Sequence, residues 1–335
     1  MIEMKLVKNK ELVKAKWLEL LEMSEFSNPF QTPDCCDLYN SVEDYYADVF
    51  AVEANGEYKS LVVVTVQKEK GIKGFFSVRG IVYGGPLLRS SEKEFLEFLL
   101  KKVKAYYKSK LIYLEIRNSN NYSSLLNSFE DNGWKYKPHL NVLLDIQNKE
   151  IDTVLSGMKY NRRREIKLSL KEGVITRTAK NVEEVGSLYK ILNEMYIERV
   201  KLPLSPLAFF INLYKSNIGK VFVVLHEDKI IGGSFCIYYN NMTINTLYYT
   251  GLRGYHKKIF STHMAILCII EFALANNLKM VDFMGAGKPD VEYGVRDYKL
   301  QFGGDLVEYG RFNNIFNPIL YNLGIMGLKI LSKFK

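Results

Sequence analysis

Lys299 lies among aromatic residues and glycines in the segment 297–304, DYKLQFGG. Beside an acyl carbon, an ammonium group can stabilise the oxyanion that forms when an amine attacks, or it can hold a phosphate of the acyl donor. Asp297, two residues earlier, would then assist proton transfer or orient the lysine. The alternative is an exposed lysine at the end of a helix, which is the more frequent case on spacing alone.

The densest group of charges is the segment 159–167, KYNRRREIK, in which Lys159, Tyr160, Arg162 and Arg163 are the candidate substrate-binding residues. Consecutive arginines point in different directions around a helix, so the three in this run cannot all bind one phosphate. The segment follows a predicted domain boundary, where ligands often bind, so we expect some of these side chains to contact an anionic part of a substrate. A solvated basic face is the alternative.

A basic loop, residues 252–261, leads into a helix that the sequence predicts to be buried. Arg253, Lys257 and Lys258 in this loop would bring positive charge to a pyrophosphate at the helix N-terminus, and they are therefore the candidate cofactor-binding residues. The loop contains a single glycine, so its backbone wraps an anion less closely than a glycine-rich loop does.

A short loop, GAGK at 285–288, follows a predicted buried strand. It fails the pattern of a Walker phosphate loop, because Asp282 stands where the first glycine is required and Pro289 follows the lysine. We therefore reject an NTPase. Gly285, at the carboxyl end of the strand, would still let a substrate approach the backbone closely. A plain turn is the alternative.

The composition is that of a folded globular protein. The chain has 335 residues, of which 47% are hydrophobic and 25% charged, and this length is enough for two domains. The formal charge of +9 favours an anionic partner such as a nucleic acid, a phosphorylated substrate or an acidic membrane surface. The segment 1–16 lacks the apolar core of a secretory signal and no long apolar run is present, so we expect a cytoplasmic protein.

The four cysteines and four histidines do not form a reactive pattern. They show neither metal-ligand spacing nor the arrangement of a catalytic triad, so we expect no metal ion and no structural disulfide. Each histidine is interpreted as structural.

The pattern of strands and helices repeats along the chain. Two apolar strands surround a tight turn, and they are followed by a further strand, a long helix and a short apolar strand. The corresponding segments are 49–66 and 221–239 for the hairpins, 75–83 and 242–250 for the next strands, and 111–116 and 278–283 for the last strands. Their spacing is kept within a few residues, so the sequence predicts two copies of one α/β fold.

Two helices of the second copy have start signals. Asn181 and Glu184 open a helix with one apolar face, and Ser261 is expected to cap a second helix. In that second helix, residues 264–274 are apolar nearly all round, which predicts a helix buried between layers.

The boundary between the copies is expected near Asn148, where a predicted strand gives way to a polar stretch. The domains would then be residues 1–148 and 149–335. The last segment, 313–335, has apolar residues at helical spacing and lysines near its end. Such a helix either packs on the protein, which is the more common outcome, or lies in a membrane interface with its lysines reaching lipid headgroups.

The sequence resembles the FemAB-type aminoacyltransferases and the related GNAT-like N-acyltransferases. The resemblance extends over nearly the whole chain and rests on short motifs in the family's order: NPFQTP at 28–33, YGGP at 83–86, NGW at 132–134, KYxRR at 159–163, IGG at 231–233, DFxG at 282–285 and YKxxFGG at 298–304. It implies two tandem GNAT-like domains, each a mixed central sheet flanked by helices, with a substrate cleft between them. It also implies that the chain end returns to the first domain.

The resemblance further implies a reaction and residues that carry it. An acyl or aminoacyl group would move onto an amine, with an aminoacyl-tRNA or an acyl-CoA as co-substrate and no tightly bound cofactor. Lys299 matches the family lysine beside the reacting carbonyl, and Arg162 or Arg163 matches a basic position in the substrate groove. Tyr249 and Tyr298 are taken as further substrate-binding residues.

The function expected from these observations is amide formation on an anionic or lipid-linked amine acceptor, from an aminoacyl-tRNA, in peptidoglycan, polysaccharide or lipid assembly. An acyl-CoA-dependent N-acyltransferase is the alternative among enzymes, and a non-catalytic module that binds RNA or an anionic membrane is the alternative of another class. Two departures from the family bear on the donor. The second half has no long helical arm for tRNA, and the loop at Arg253 has few of the glycines of CoA-binding loops.

Overall fold

The computed structural model describes residues 3–68, 78–89 and 92–333, with side chains as far as Gly327. The chain divides into two compact units. Residues 1–139 together with 308–335 form the first unit, and residues 140–307 form the second.

Strands and helices alternate through both units. The elements before residue 140 are β1 (Lys5–Lys8), α1 (Lys14–Met23), α2 (Pro33–Asn40), β2 (Tyr45–Ala54), β3 (Glu57–Gln67), β4 (Arg79–Gly84), β5 (Leu87–Leu88), α3 (Lys93–Tyr107), β6 (Tyr113–Asn118), α4 (Leu126–Asp131) and β7 (Lys135–Lys137). Those that follow are β8 (Leu140–Asp145), α5 (Ile151–Gly157), α6 (Tyr160–Lys171), β9 (Ile175–Thr178), α7 (Val182–Met195), α8 (Leu207–Lys215), β10 (Gly219–His226), β11 (Lys229–Tyr239), β12 (Thr243–Gly251), α9 (Ser261–Ala275), β13 (Met280–Gly285), α10 (Gly294–Leu300), β14 (Asp305–Glu308), β15 (Arg311–Ile315) and α11 (Pro318–Lys333).

Each unit contains one mixed sheet, and the two sheets have matching strand orders. The order is β1-β2-β3-β4-β6-β15-β7 in the first unit, where β5 also pairs with β3, and β9-β10-β11-β12-β13-β8-β14 in the second. In both, one parallel pair, β4 with β6 or β12 with β13, follows an antiparallel hairpin. The predicted two copies of one α/β fold are thereby confirmed. Of the predicted strand 75–83, residues 75–77 lie outside the described residues.

The two predicted hairpins occupy equivalent positions in the sheets, and their turns explain why they form. Asn55 and Gly56 have φ values of 53° and 78°, and Glu227 and Asp228 have φ values of 48° and 60°. Two consecutive residues with positive φ make the turn that matches the twist of an antiparallel pair. The turn dipeptides therefore fix the register of both hairpins.

β8 and β15 occupy equivalent positions in the two sheets, but each lies in the sheet of the other copy. β8 follows the first unit's last consecutive strand but pairs with β13, whereas β15 follows β14 and lies between β6 and β7. The division of the chain consequently falls at residues 139 and 140, rather than near Asn148, and the chain end belongs to the first unit. The polar stretch after β8 is a loop within the second unit.

The helix starts in the second unit differ in their capping. The side chain of Asn181 accepts a hydrogen bond from the Glu184 amide at 2.9 Å, as predicted for the start of α7. Ser261, by contrast, is the first residue of α9 rather than its cap, and its hydroxyl donates to the carbonyl of Leu252 at 3.0 Å. The N-terminus of α9 therefore has no side-chain cap.

The C-terminal helix is shorter than predicted, because β15 occupies part of the predicted range. Asn317 caps α11 by accepting a hydrogen bond from the Leu320 amide at 3.0 Å. Within the first unit, the ring of Tyr321 packs against Tyr113 with 5.2 Å between the ring centroids. Among the described residues, no helix combines the length and the apolar character needed to cross a bilayer.

Candidate functional site

The parallel pair of the second unit separates partway along its length. β12 and β13 are in register over three residue pairs, of which Asn245 with Asp282 is the last. Residues 246–251 of β12 continue without a register partner on β13, although the structure describes every residue of both strands. This strand opening leaves backbone N–H and C=O groups of β12 available at an internal edge of the sheet.

Asp282 produces the separation. Its Oδ1 accepts a hydrogen bond from the Met284 amide at 2.6 Å, and Met284 adopts a left-handed φ of 62°. Oδ2 accepts from the side-chain amide of Asn245 at 2.9 Å. Asp282 is 1% exposed, and burial raises the pKa of its carboxyl group to about 6 despite these bonds. A carboxylate bonded to the amide two residues later bends its own strand and so ends the ladder with β12.

Lys299, on α10, binds the carbonyl groups that follow this bend. Its Nζ donates to the Gly285 carbonyl at 2.8 Å and lies 3.3 Å from the Met284 carbonyl. The side chain is buried, and burial lowers its pKa to about 8, although the nearby charge of Asp282 opposes the shift. An ammonium group has three N–H donors, so these two contacts leave one for a further acceptor.

The expectation that Asp297 orients Lys299 needs correction. The Asp297 side chain is exposed, and its backbone carbonyl accepts a hydrogen bond from the Gln301 side chain at 3.2 Å. The carboxylate whose charge acts on Lys299 is that of Asp282, which is buried next to it in the fold. In the sequence, Asp282 appeared as a break in a phosphate-loop pattern and as part of the DFxG motif, but without a role of its own, although an acid inside an apolar strand is itself a signal.

Two predicted tyrosines come together at the strand opening. Tyr249 belongs to the part of β12 that has no register partner on β13, and its ring stacks on that of Tyr298 with 6.0 Å between centroids. Burial raises the pKa of both hydroxyl groups above the usual value for tyrosine. The Tyr298 hydroxyl is buried and has no hydrogen-bond partner among the described residues, so it is a polar group to which a ligand can bind.

Arg162 lies in a half-buried network rather than on an open face. Its Nε donates to the Gln301 side chain at 2.8 Å, and Nη1 lies 2.8 Å from a carboxylate oxygen of Glu165 and also contacts His263. Burial, with the adjacent arginine charge, lowers the pKa of His263 to about 3, so the imidazole is neutral. The guanidinium also lies 5.9 Å from the centre of the Tyr298 ring. The network thus joins α6, α9 and α10 and positions Tyr298.

Comparison with known proteins gives the fold. No protein-family model matches the chain, and no curated protein matches it either. Solved structures that match include FemX, with 15% identity, a TM-score of 0.72 and coverage of 95% of this chain and 99% of FemX. The chain has a tandem GNAT-like fold. Two other matching structures support this assignment.

One of them is the C-terminal domain of a putative lysylphosphatidylglycerol synthetase from Agrobacterium fabrum, with 11% identity, a TM-score of 0.60 and 95% of each chain covered. The other is a tandem GNAT protein from the clavulanic acid biosynthesis pathway, with 11% identity, a TM-score of 0.59 and coverage of 94% of this chain and 99% of that one. At these identities the similarity establishes the fold alone.

The remaining candidates on α6 of the second GNAT-like unit lie at its surface. Lys159 and Tyr160 stand at the start of α6, and Tyr160 is 69% exposed. Arg163 donates to the Ser156 carbonyl at 3.0 Å and stays at the surface. The backbone amide of Lys159 donates to the Gln301 carbonyl at 3.0 Å, which brings the start of α6 to the end of α10.

The basic loop before α9 is exposed as well. Arg253, Lys257 and Lys258 all reach the surface, and Lys258 forms an ion pair with Glu172 at 3.1 Å. Because α9 begins without a side-chain cap, its first amide groups and these positive charges together form an environment suited to an anion.

The network around Arg162 could not be found from the sequence. Its members His263 and Gln301 are separated from Arg162 by 101 and 139 positions. A local signal could have indicated two members of this network. His263 and Glu165 are polar residues at positions where their helices turn apolar faces inward.

Proposed function

We propose that the second GNAT-like unit moves an acyl or aminoacyl group from an ester or thioester onto an amine. The observation that supports this most strongly is the strand opening, with a buried lysine bonded to the strand on one side of it. An extended donor chain would add to the open edge of β12 by backbone hydrogen bonds. Its carbonyl group would then be polarised by the remaining N–H of Lys299.

The reaction needs few protein groups. The amine nitrogen attacks the carbonyl carbon, a C–N bond forms, and the C–O or C–S bond breaks with its electron pair leaving on the ribose oxygen or the thiolate. The proton lost by the amine passes to the leaving group or to water. Lys299 stabilises the oxyanion of the intermediate, and its lowered pKa of about 8 leaves it largely charged at neutral pH.

The proposed donor is an aminoacyl-tRNA, and the acceptor is an amine on an anionic or lipid-linked molecule used in cell-envelope assembly. The exposed Lys159 and the half-buried Arg163 would contact the anionic part of the acceptor. Acyl-CoA is the second candidate donor. It is favoured by the open β12 edge and by the basic loop at the uncapped start of α9, where Arg253, Lys257 and Lys258 would bind a pyrophosphate.

The test is a thermal-shift binding screen of the full chain with acyl-CoAs, with charged and uncharged tRNAs and with nucleotide-sugar peptides. A donor that raises the melting temperature is then assayed for acyl transfer to amines. Stabilisation by charged tRNA and not by acyl-CoA supports the first donor, and the reverse supports the second. RNA binding with no transfer to any amine, and equal in Lys299→Ala, would contradict the enzyme proposal and leave a binding module.

The basic loop provides a sharper test of the second donor. In the variant Lys257→Gln with Lys258→Gln, acyl-CoA affinity should fall and its salt dependence should flatten, because two phosphate contacts are lost. The matched control removes two exposed lysines elsewhere, Lys14→Gln with Lys190→Gln. Equal affinities in both variants would exclude the loop as a pyrophosphate site.

A further inference from the structure

Helix α11 carries an exposed apolar stripe. Ile319, Leu323 and Met326 are 74%, 49% and 56% exposed, and their spacing places them on one face of the helix. Tyr321 points away from this face, since its ring packs on Tyr113 of the first unit. A row of exposed aliphatic side chains on one helix face is a mark of an interaction surface.

The charged residues of the C-terminal segment that contains α11 are all positive. From residue 309 to the end the sequence contains no aspartate or glutamate, and it contains Arg311, Lys329, Lys333 and Lys335. Arg311 is already paired with Glu115 on the neighbouring strand, at 3.2 Å. An amphipathic helix whose only charges are positive is complementary to an anionic surface.

A second lysine-rich segment adjoins the start of α11. The backbone amides of Phe316 and Asn317 both donate to the Ile112 carbonyl, at 2.9 and 3.0 Å. Ile112 lies five residues after the end of α3, and Lys108 and Lys110, between the two, are exposed. The whole stretch 101–113 has five lysines and no acidic residue. Positive charge therefore borders the apolar stripe at the helix start as well as in the sequence that follows it.

We propose that α11 and the lysines beside it bind the surface of a bilayer that contains anionic lipid. The helix would lie in the plane of the interface, with Ile319, Leu323 and Met326 below the headgroups and with Lys108 and Lys110 at the level of the lipid phosphates. Apolar insertion and charge act together here, and two such signals are what stable but reversible membrane attachment requires. This surface belongs to the first unit and does not depend on the proposed reaction.

Two other occupants fit the surface less well. A second copy of the chain would meet it through a two-fold interface, which would bring the lysines of one protomer against those of the other. RNA would use the lysines, but it binds through phosphate contacts and base stacking, for which exposed aliphatic side chains offer nothing.

The test is flotation of the full chain with two kinds of vesicle, phosphatidylcholine alone and an equal mixture of phosphatidylcholine and phosphatidylglycerol. Capture is expected with the anionic vesicles and should weaken with added salt. The variant Ile319→Gln, Leu323→Gln, Met326→Gln should lose about tenfold or more in partitioning, because its apolar face is removed. Lys108→Gln with Lys110→Gln should lose about fivefold for each lysine.

Matched controls change exposed residues elsewhere. Met23→Gln with Ile175→Gln removes two apolar side chains that are 56% and 62% exposed, and Lys14→Gln with Lys190→Gln removes two charges. Both should partition like the wild type, and all variants should keep the wild-type circular dichroism and melting temperature. Three results would overturn the proposal: no capture by anionic vesicles, unchanged capture of the apolar-stripe variant, or a wild-type dimer that this variant converts to monomer. Loss of tRNA binding with unchanged vesicle capture in the lysine variant would assign the charges to RNA instead.

Discussion

The parallel strand pairs of the two units begin alike and end differently. β4 and β6 stay in register over six residue pairs, from Arg79 with Tyr113 to Gly84 with Asn118. β12 and β13 separate after three pairs. Because the strand orders match, the difference lies in the residues and not in the topology.

The third residue pair of each parallel ladder contains an acid. The hydrogen-bond partners of that acid decide whether the ladder continues. Glu115 pairs with the side chains of Arg117 and Arg311, at 2.6 and 3.2 Å, and its strand continues straight. Asp282 accepts from the Asn245 side chain and, in addition, from the Met284 amide of its own strand, and that strand bends. A carboxylate bonded only by side chains leaves this strand pair in register, whereas one that also accepts from the backbone of its own strand ends the ladder. We therefore expect acyl-transfer chemistry in the second unit alone.

The largest expected effect comes from the lysine that binds the bent strand. Lys299→Ala should lower turnover with an identified substrate by about a hundredfold to a thousandfold, because one oxyanion donor is lost. Lys288→Ala, a change at an exposed lysine of the same region, is the control and should keep its activity. Steady-state kinetics measure both, and near-normal turnover of Lys299→Ala would remove the lysine from the mechanism.

Asp282→Asn tests how the opening is held. Burial raises the pKa of Asp282 from 3.8 to about 6, so its contribution to stability is present below pH 3.8 and is lost as pH rises through 6. The free energy of unfolding of the wild type should consequently fall between pH 4 and 6, relative to the variant, by up to about 3 kcal/mol. Urea unfolding across this range measures the difference. Parallel curves for the two proteins would show that the carboxyl group is not titrating in the fold.

Glu115→Gln should give the opposite sign in the other unit. Burial opposes ionisation of Glu115, but Arg117 and Arg311 together hold its pKa below the ordinary 4.5. The resulting stability is present above pH 4.5 and is lost as pH falls through the lowered pKa. At neutral pH the variant should be less stable by about 2 kcal/mol, since two arginines lose their carboxylate, and the difference should shrink in acid. If Glu115→Gln is as stable as the wild type at pH 7, the proposed contrast between Glu115 and Asp282 is wrong.

Amide hydrogen exchange gives the smallest and most direct measure of the opening. Amides in residues 246–251 that face β13 should exchange about five- to tenfold faster than the paired amides of β4, because each lacks one net hydrogen bond. A bound donor should slow them toward the β4 rates. Equal protection in the unliganded protein would mean that β12 and β13 are joined in solution.

The sequence is sufficient for the parts of this fold that depend on neighbouring residues. The hairpins follow from apolar alternation around Asn55-Gly56 and Glu227-Asp228, and the start of α7 follows from the Asn181 cap. Ser261 carries the same kind of signal, but its hydroxyl bonds the Leu252 carbonyl instead of capping α9. Tertiary contact replaced a local preference there.

Long-range pairing explains what the sequence could not provide. The chain divides at residues 139 and 140 rather than near Asn148 because the partner of β8 is β13, far along the chain, and no local pattern specifies that choice. In the candidate site, Lys299, Tyr249 and Tyr298 could be selected from residue type and resemblance. Asp282 could not be assigned its role, since the bond from its carboxylate to the Met284 amide is a property of the folded strand.

The exchange of β8 and β15 also constrains the order of events during synthesis. The first unit has β7 at the edge of its sheet, but the strand that joins it to β6 is β15, which leaves the ribosome after the entire second unit. At about 5–20 residues per second, the delay between β6 and β15 is on the order of ten seconds or longer. The nascent chain therefore exposes an unfilled strand position for that time, and a chain truncated after residue 148 is expected to leave the first sheet without its strand between β6 and β7.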